Sequence, residues 1–364
     1  HLAASAAAEQ REALALGQLS GQDERQAVVL HSLGSYYASL GDNREAERLH
    51  RQAKSLLPAT ADLSVRAPIE CSHALQTALL GNVKTARADL ERWVTHRDVE
   101  PQVAVQCEMY LAHIAQTHDD PQAALRHAQS AEKRLLASPY APPTLKASLH
   151  GDLGYGFAMN DRIAEADRHY GAAIQMYREL NLGETPPVVA ILNNWALVSF
   201  TAGDYRHALR QIDEVIRIAT SRGTGSVPPY AVHNRAFALR VLGRYEEAIA
   251  EADRAIALAK LTSNRNMWYR ALTNKISAHA ELGDVAAAEA TYREAEALGR
   301  ELPAGMFDPH LLALRRSFVG NRKKRAAGWT RSLPRFQTRS EPEAYSPMRC
   351  NCGLRLSTGL ASEW

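Results

Sequence analysis

The chain has 364 residues, 46% of them hydrophobic and 7% aromatic, with a formal net charge of +3. That length exceeds what one compact core organises, which excludes a small single-core domain and predicts two domains or an extended repeat array. Scarce aromatics and abundant alanine exclude a β-rich protein and predict helices that approach closely. The charge is asymmetric: residues 315–364 carry 11 Lys/Arg against 3 Asp/Glu, a net of +8 that leaves −5 for the remainder.

In chain order, His1 to Leu19 is alanine-rich and helical in pattern. It reads as part of an incomplete N-terminal repeat spanning 1–26. The chain starts at His1 and not at methionine, which predicts a fragment or processed product with an upstream domain. The basic-then-apolar layout of a secretory signal is not found at the start. No run of ~18–20 apolar residues follows, so no membrane span and a cytoplasmic location are expected.

From residue 27 a pattern recurs seven times. Turn residues fall at Gly41, Gly81, Asp119, Asp161, Gly203, Gly243 and Gly283, separated by 38 to 42 positions. Five residues after each stands an alanine: Ala46, Ala86, Ala124, Ala166, Ala208, Ala248 and Ala288. Seven residues before the turns stand Gly34, Ala74, Ala112, Gly154, Ala196, Ala236 and Ile276, six of the seven tiny. Seven residues after the alanines come Ala53, Trp93, Ala131, Ala173, Val215, Ala255 and Ala295, all apolar. Glycine closes a first helix by taking the left-handed conformation. Asp42, Asp161, Asp204 and Asp284 fit the start of a second helix, where an acceptor side chain caps free N–H groups. Small residues let the two helices cross closely, and such pairs stack because none buries its apolar face alone. Prolines, Pro68 among them, punctuate the boundaries between units and none is expected within a helix. The seven units start near 27, 67, 105, 147, 189, 229 and 269 and end at 303. An unpaired helix follows over 304–319, then a basic tail over 320–364 that is expected to be disordered. The loss of a half-finished repeat at Phe318 leaves a reading-frame change as the alternative account of that tail.

The sequence here resembles the tetratricopeptide repeat family. Leu33-Gly34, Gly41, Ala46 and Ala53 match its pattern, as do Leu153-Gly154, Ala166, Tyr170 and Ala173, and Trp195-Ala196, Gly203, Ala208 and Ile212. The family unit is 34 residues; this period of ~40 is similar to the long-helix variants of kinesin light chains, polarity adaptors and bacterial peptide-sensing regulators. The resemblance implies an all-α, right-handed α-solenoid of about seven helix-turn-helix repeats that binds protein or peptide and is not an enzyme. The alternative it implies is a sensor or scaffold region of a larger bacterial signalling protein, with an upstream kinase or DNA-binding regulator.

The sharpest functional pattern is a row of asparagines, Asn194, Asn234 and Asn274, at spacings of 40. Each lies two residues before the small crossing residue, on a first helix that would line a concave groove. An amide offers both a donor and an acceptor, so the row can bridge the backbone of an extended peptide. In the resembling peptide-binding repeat proteins, asparagines at this position do so. Earlier units carry Ser32, Ser72, Tyr110 and Asp152 at the same register. The same face carries Asn193, Leu197, Tyr230, His233, Phe237, Arg240, Arg270 and Thr273, whose arginines and histidine suit an acidic ligand. In earlier units it carries His31, Ser35, Met109, His113 and Tyr155.

Chemistry-bearing motifs are scarce. His96-Arg97-Asp98 superficially matches a kinase catalytic loop, but Val103 stands where that loop needs asparagine. Gly151, Gly154 and Gly156 follow no strand, so they are no phosphate cradle. Cys71 and Cys107 read as small buried apolar residues with free thiols, compatible with a reducing compartment. Cys350 and Cys352 lack the spacing of a zinc site, so neither metal nor cofactor is expected. Arg322-Lys323-Lys324-Arg325 reads as a solvated run and not as a nucleic-acid element. A homodimer through the unpaired helix near Leu311 is one expected mode of self-association.

Overall fold

The computed structural model describes residues 23–39, 41–58, 60–221 and 227–302. Fourteen helices and no strand occur among them: α1 (Asp23–Ser39), α2 (Asn43–Leu56), α3 (Leu63–Leu79), α4 (Val83–Thr95), α5 (Pro101–Thr117), α6 (Pro121–Ala137), α7 (Pro143–Met159), α8 (Ile163–Glu179), α9 (Pro186–Thr201), α10 (Tyr205–Ser221), α11 (Pro229–Val241), α12 (Tyr245–Leu261), α13 (Arg265–Leu282) and α14 (Val285–Gly299). The architecture is an all-α solenoid of helix-turn-helix repeats. Two compact units divide it, one within residues 1–198 and 353–364, the other within 199–352. In the first unit α1–α2, α3–α4, α5–α6 and α7–α8 pack as pairs, and the first helices of successive pairs also touch. In the second unit α11–α12 and α13–α14 pair in the same way. The expected helices at 1–19 and 304–319, the Cys350/Cys352 pair and the basic run lie outside the described residues.

All seven turn positions have positive φ, from 54° at Asp119 to 109° at Gly81. The side chains of Asp42, Asp120, Asp204 and Asp284 then accept a backbone N–H three residues on, at 2.9–3.1 Å. Asp161 does not cap: it takes the left-handed turn position itself (φ 58°), and Arg162 stands at the helix start without a side-chain bond. First helices begin at 23, 63, 101, 143, 186 and 265, three or four residues before the starts placed by spacing, and at 229 as placed. Those extra residues are a cap followed by proline or a short lead-in turn. Pro68 corrects a second expectation, for it is the sixth residue of α3 and lies within the helix. It leaves one i−4 carbonyl without its N–H, a cost the flanking turns of a well-packed helix tolerate.

The seven key alanines are all at most 1% exposed. The crossing positions show why they are small. A Cβ added at Gly154 would stand 2.7 Å from the Tyr170 ring, and one at Gly34 would stand 2.6 Å from the His50 ring. Gly171, also helical, would meet only Trp195 at 3.7 Å.

Cys71 and Cys107, both fully buried, form a disulfide that ties α3 to α5 across 36 residues. The free-thiol expectation is therefore wrong, and with it goes the support that free thiols gave to a reducing, cytoplasmic location. Helical spacing alone does not show that position 71 of one first helix abuts position 107 of the next. No helix among the described residues is long and apolar enough to cross a membrane.

Two stability outcomes follow. Gly154→Ala should destabilise by about 1–2 kcal/mol, the clash with buried Tyr170 exceeding the helix-propensity gain, while Gly171→Ala should stabilise by up to ~1 kcal/mol. Urea unfolding of both variants checks the pair. Replacing Cys71 and Cys107 with alanine should cost about 2–4 kcal/mol, read as a lower melting temperature under non-reducing conditions.

Candidate functional site

The register two residues before each crossing residue is the structural row that carries the candidate site. One residue further on, the side chains reach back to the preceding second helix. His73 meets Glu47 at 3.3 Å and Trp195 donates to Asp167 at 2.7 Å in the first unit. Arg235 donates to Asp213 at 2.7 Å and Lys275 to Asp253 at 2.6 Å in the second. These bonds fix the rotation of the four first helices that carry them; Leu33, Leu111 and Leu153 stand at the same register in the others.

In the second unit, Arg240 Nε donates to Asn274 Oδ1 at 2.9 Å. Asn274 is 7% exposed, and its Nδ2 has no partner. The Arg240 guanidinium sits 5.3 Å from the centre of the Phe237 ring, which packs edge-on against Phe200. His233 is buried with Nδ1 unpartnered. Burial, then the charges of Arg270 and Arg240, push its pKa down to about 3, so it is neutral. Burial pushes the Tyr230 hydroxyl up to about 12. No carboxylate pairs with Arg270 among the described residues. Asn234 is half-buried on the same face. Of the residues singled out by sequence in this unit, the structure thus joins Arg240, Asn274 and Phe237 by direct contact and sets His233 within reach of both arginine charges.

In the first unit, Asn193 and Asn194 are buried, and neither Nδ2 nor Oδ1 of Asn194 has a partner. The earlier rungs Ser72 and Tyr110 bond to each other at 3.3 Å across two repeats. His113 is buried and His31 half-buried on the same face, and burial lowers each to a pKa of about 4. Leu197, Met109 and Tyr155 are buried as well.

One residue of this row was not a candidate by sequence. Asp152 is 9% exposed, its carboxylate has no hydrogen bond or ion pair among the described residues, and burial pushes its pKa up to about 7. The signal was present in the sequence: Asp152 is the one carboxylate on the row, and one turn away on its own helix stand Ser148, Leu149, Tyr155 and Gly156, none of them basic. Another buried acid in this unit, Glu108, is fully served. It accepts from His127 at 2.8 Å and Ser130 at 2.6 Å, with Arg134 at 3.5 Å. Burial alone would raise Glu108, but these partners hold it below the usual carboxylate range.

Among the described residues no three His, Cys, Asp or Glu side chains stand close enough together to hold a metal ion. Asp152 makes stability pH-dependent. Between the ordinary value of 3.8 and about 7, the unfolded chain releases this proton while the folded chain keeps it. Its contribution is therefore fully present below 3.8, falls as pH rises through that window, and stays lost above it, by roughly 4 kcal/mol in all. Asp152→Asn should match the parent near pH 4 and exceed it in stability at pH 8, measured as urea midpoints.

No family profile matches the chain. No curated protein matches it in sequence. Solved structures do match it. The apo form of RapI is 13% identical, with 83% of this chain and 84% of that one covered, at a TM-score of 0.65. A Rap protein complexed with Competence and Sporulation Factor is 15% identical, with 83% and 89% covered, at 0.56. A Signal Transduction ATPase with Numerous Domains carrying a tetratricopeptide repeat sensor, PH0952 from Pyrococcus horikoshii, is 12% identical at 0.63; the match takes in 85% of this chain and 51% of that one. At these identities the likeness is one of fold, and the fold is the tetratricopeptide-type α-solenoid.

Proposed function

We propose that the chain is a protein–protein interaction module whose first helices receive an extended polypeptide segment. The observation that carries this reading is the row of buried amides left without partners. Asn194 lacks partners for both amide atoms in the first unit, and Asn274 lacks one for Nδ2 in the second. A buried polar atom without a partner costs ~1–3 kcal/mol, and such atoms are rare in folded proteins. A peptide backbone supplies both the N–H and the C=O that they need, whatever its side chains. His233 Nδ1 adds a further unpartnered polar atom beside Asn274's unit. Arg270, Arg240 and His233 suit an acidic group on the segment, and Phe237 and Tyr230 an apolar one. The fold likeness to a Rap protein complexed with Competence and Sporulation Factor supports a binding role.

A second reading shares the same site: the chain is the sensor region of a larger signalling protein. The observation favouring it is the match to a protein whose repeat region is itself described as a sensor. Neither reading asks bond-making chemistry of the chain.

Selection from a random dodecapeptide display library tests the proposal. Peptides recovered on the parent chain should lose about 5- to 30-fold in affinity with Asn194→Ala, and similarly with Asn274→Ala. The two variants should differ in stability. Asn194→Ala removes an amide that nothing satisfies and should leave the melting temperature unchanged or raised. Asn274→Ala removes the acceptor that Arg240 Nε uses and should cost about 1 kcal/mol. Unfolding of Asn194→Ala, or peptides that bind all variants equally, would sink the clamp.

A further inference from the structure

We propose that Asp152 is a cation subsite: it receives the ammonium or guanidinium group of a lysine or arginine carried by the bound segment. This deepens the proposed function and rests on it.

Asp152 occupies on α7 the register that Asn194 occupies on α9. The two helices touch close to that register, since a Cβ built at Gly151, next to Asp152, would stand 3.1 Å from Ile191, about one turn before Asn194. A segment held by the Asn194 amide therefore passes along the row that includes Asp152.

Aspartate and asparagine have nearly the same shape, and asparagine fills this register in three other repeats. Asparagine would carry a donor and an acceptor at no charge cost. A carboxylate carries acceptors only, and burying it without a partner is unfavourable unless a cation arrives. The fold does provide partners to a buried acid where the role is internal, as Glu108 shows with the hydrogen bonds of His127 and Ser130 and the charge of Arg134. It provides none to Asp152. One turn back along its own helix the Ser148 hydroxyl is already engaged with Tyr177 at 2.7 Å, and Tyr170 and Tyr177 on the packed second helix feel the Asp152 charge without bonding to it. Asp152 keeps 9% of its surface exposed, so the residue is not sealed from a group outside. Tyr110 on the preceding rung and Tyr155 one turn along are aromatic neighbours of the kind that favour a cation. A metal ion would need further acidic or imidazole ligands close by, and no such group exists among the described residues. Without ligand the carboxyl keeps a proton near neutrality, and an incoming cation displaces it.

The same dodecapeptide selection decides the matter, run in parallel on the parent and on Asp152→Asn at pH 8. Circular dichroism confirms that the variant is folded, as expected for removal of a buried charge. Lysine or arginine should be enriched at one position of the peptides selected by the parent and not of those selected by the variant. A basic peptide so selected should bind the variant at least about tenfold more weakly, and its glutamine-substituted form should bind both proteins alike. Peptides that depend on Asn194 but show no basic position, or a basic position that survives in Asp152→Asn, overturn the cation subsite and leave the clamp standing. Recovery of no peptide by either protein overturns both.

Discussion

Close crossing of helices at small residues is the constraint on which the rest depends. Each repeat places an alanine of at most 1% exposure where its two helices meet. Where the partner position is glycine, a ring takes up the freed space, Tyr170 against Gly154 and His50 against Gly34. Such contacts leave no slack in rotation or register. A side chain two residues from the crossing is therefore held in one direction whether or not it finds a partner there. That rigidity is how polar atoms come to be buried and unsatisfied in a fold that satisfies most of its others.

Two rows of polar groups on the first helices meet opposite fates. The row one residue past each rung is spent on the structure: His73, Trp195, Arg235 and Lys275 each meet an acid on the preceding second helix. The rung row is not. Its early members Ser72 and Tyr110 close on each other, while Asp152, Asn194 and Asn274 keep unpaired capacity. A one-residue step on a helix turns the side chain by about 100°, enough to separate a face that joins repeats from one that meets a ligand. The disulfide between α3 and α5 fastens the early part of the first unit, where the rungs are already satisfied and no ligand is needed to complete them.

Much of this was legible in the sequence because it is periodic. Gly41, Gly81, Gly203, Gly243 and Gly283 announce their own backbone conformation, and the alanines announce the crossing, since both depend on local sterics alone. Aperiodic features were not legible. Asp161 reads as a cap by residue type, yet where the turn lacks glycine an aspartate must itself take positive φ, and the cap passes to Arg162. Cys71 and Cys107 are 36 apart in a chain of period ~40, so they fall at different places in their repeats. Only the facing of α3 and α5 brings them together. For the site, spacing found the asparagine row but not which amides were buried, which were bonded, or that the aspartate on the same row stood alone. Those depend on what neighbouring helices present, and a sequence does not record it residue by residue.

Recognition by such a row has two separable parts. Amides read a backbone, so they contribute affinity without regard to sequence; a charge held beside them reads a side chain and contributes choice. In the proposed reading that charge is Asp152 in the first unit and the Arg240 and Arg270 pair around neutral His233 in the second. The neutrality of His233 matters here. A protonated imidazole between two guanidinium groups would repel them, and burial removes that proton well before physiological pH, leaving an acceptor or a donor as the ligand requires. Each unit thus pairs generic amides with one kind of charge, negative in the first and positive in the second. On that reading, a fold built from repeats that share only their crossing and turn positions distinguishes one segment from another by the residues that differ between them.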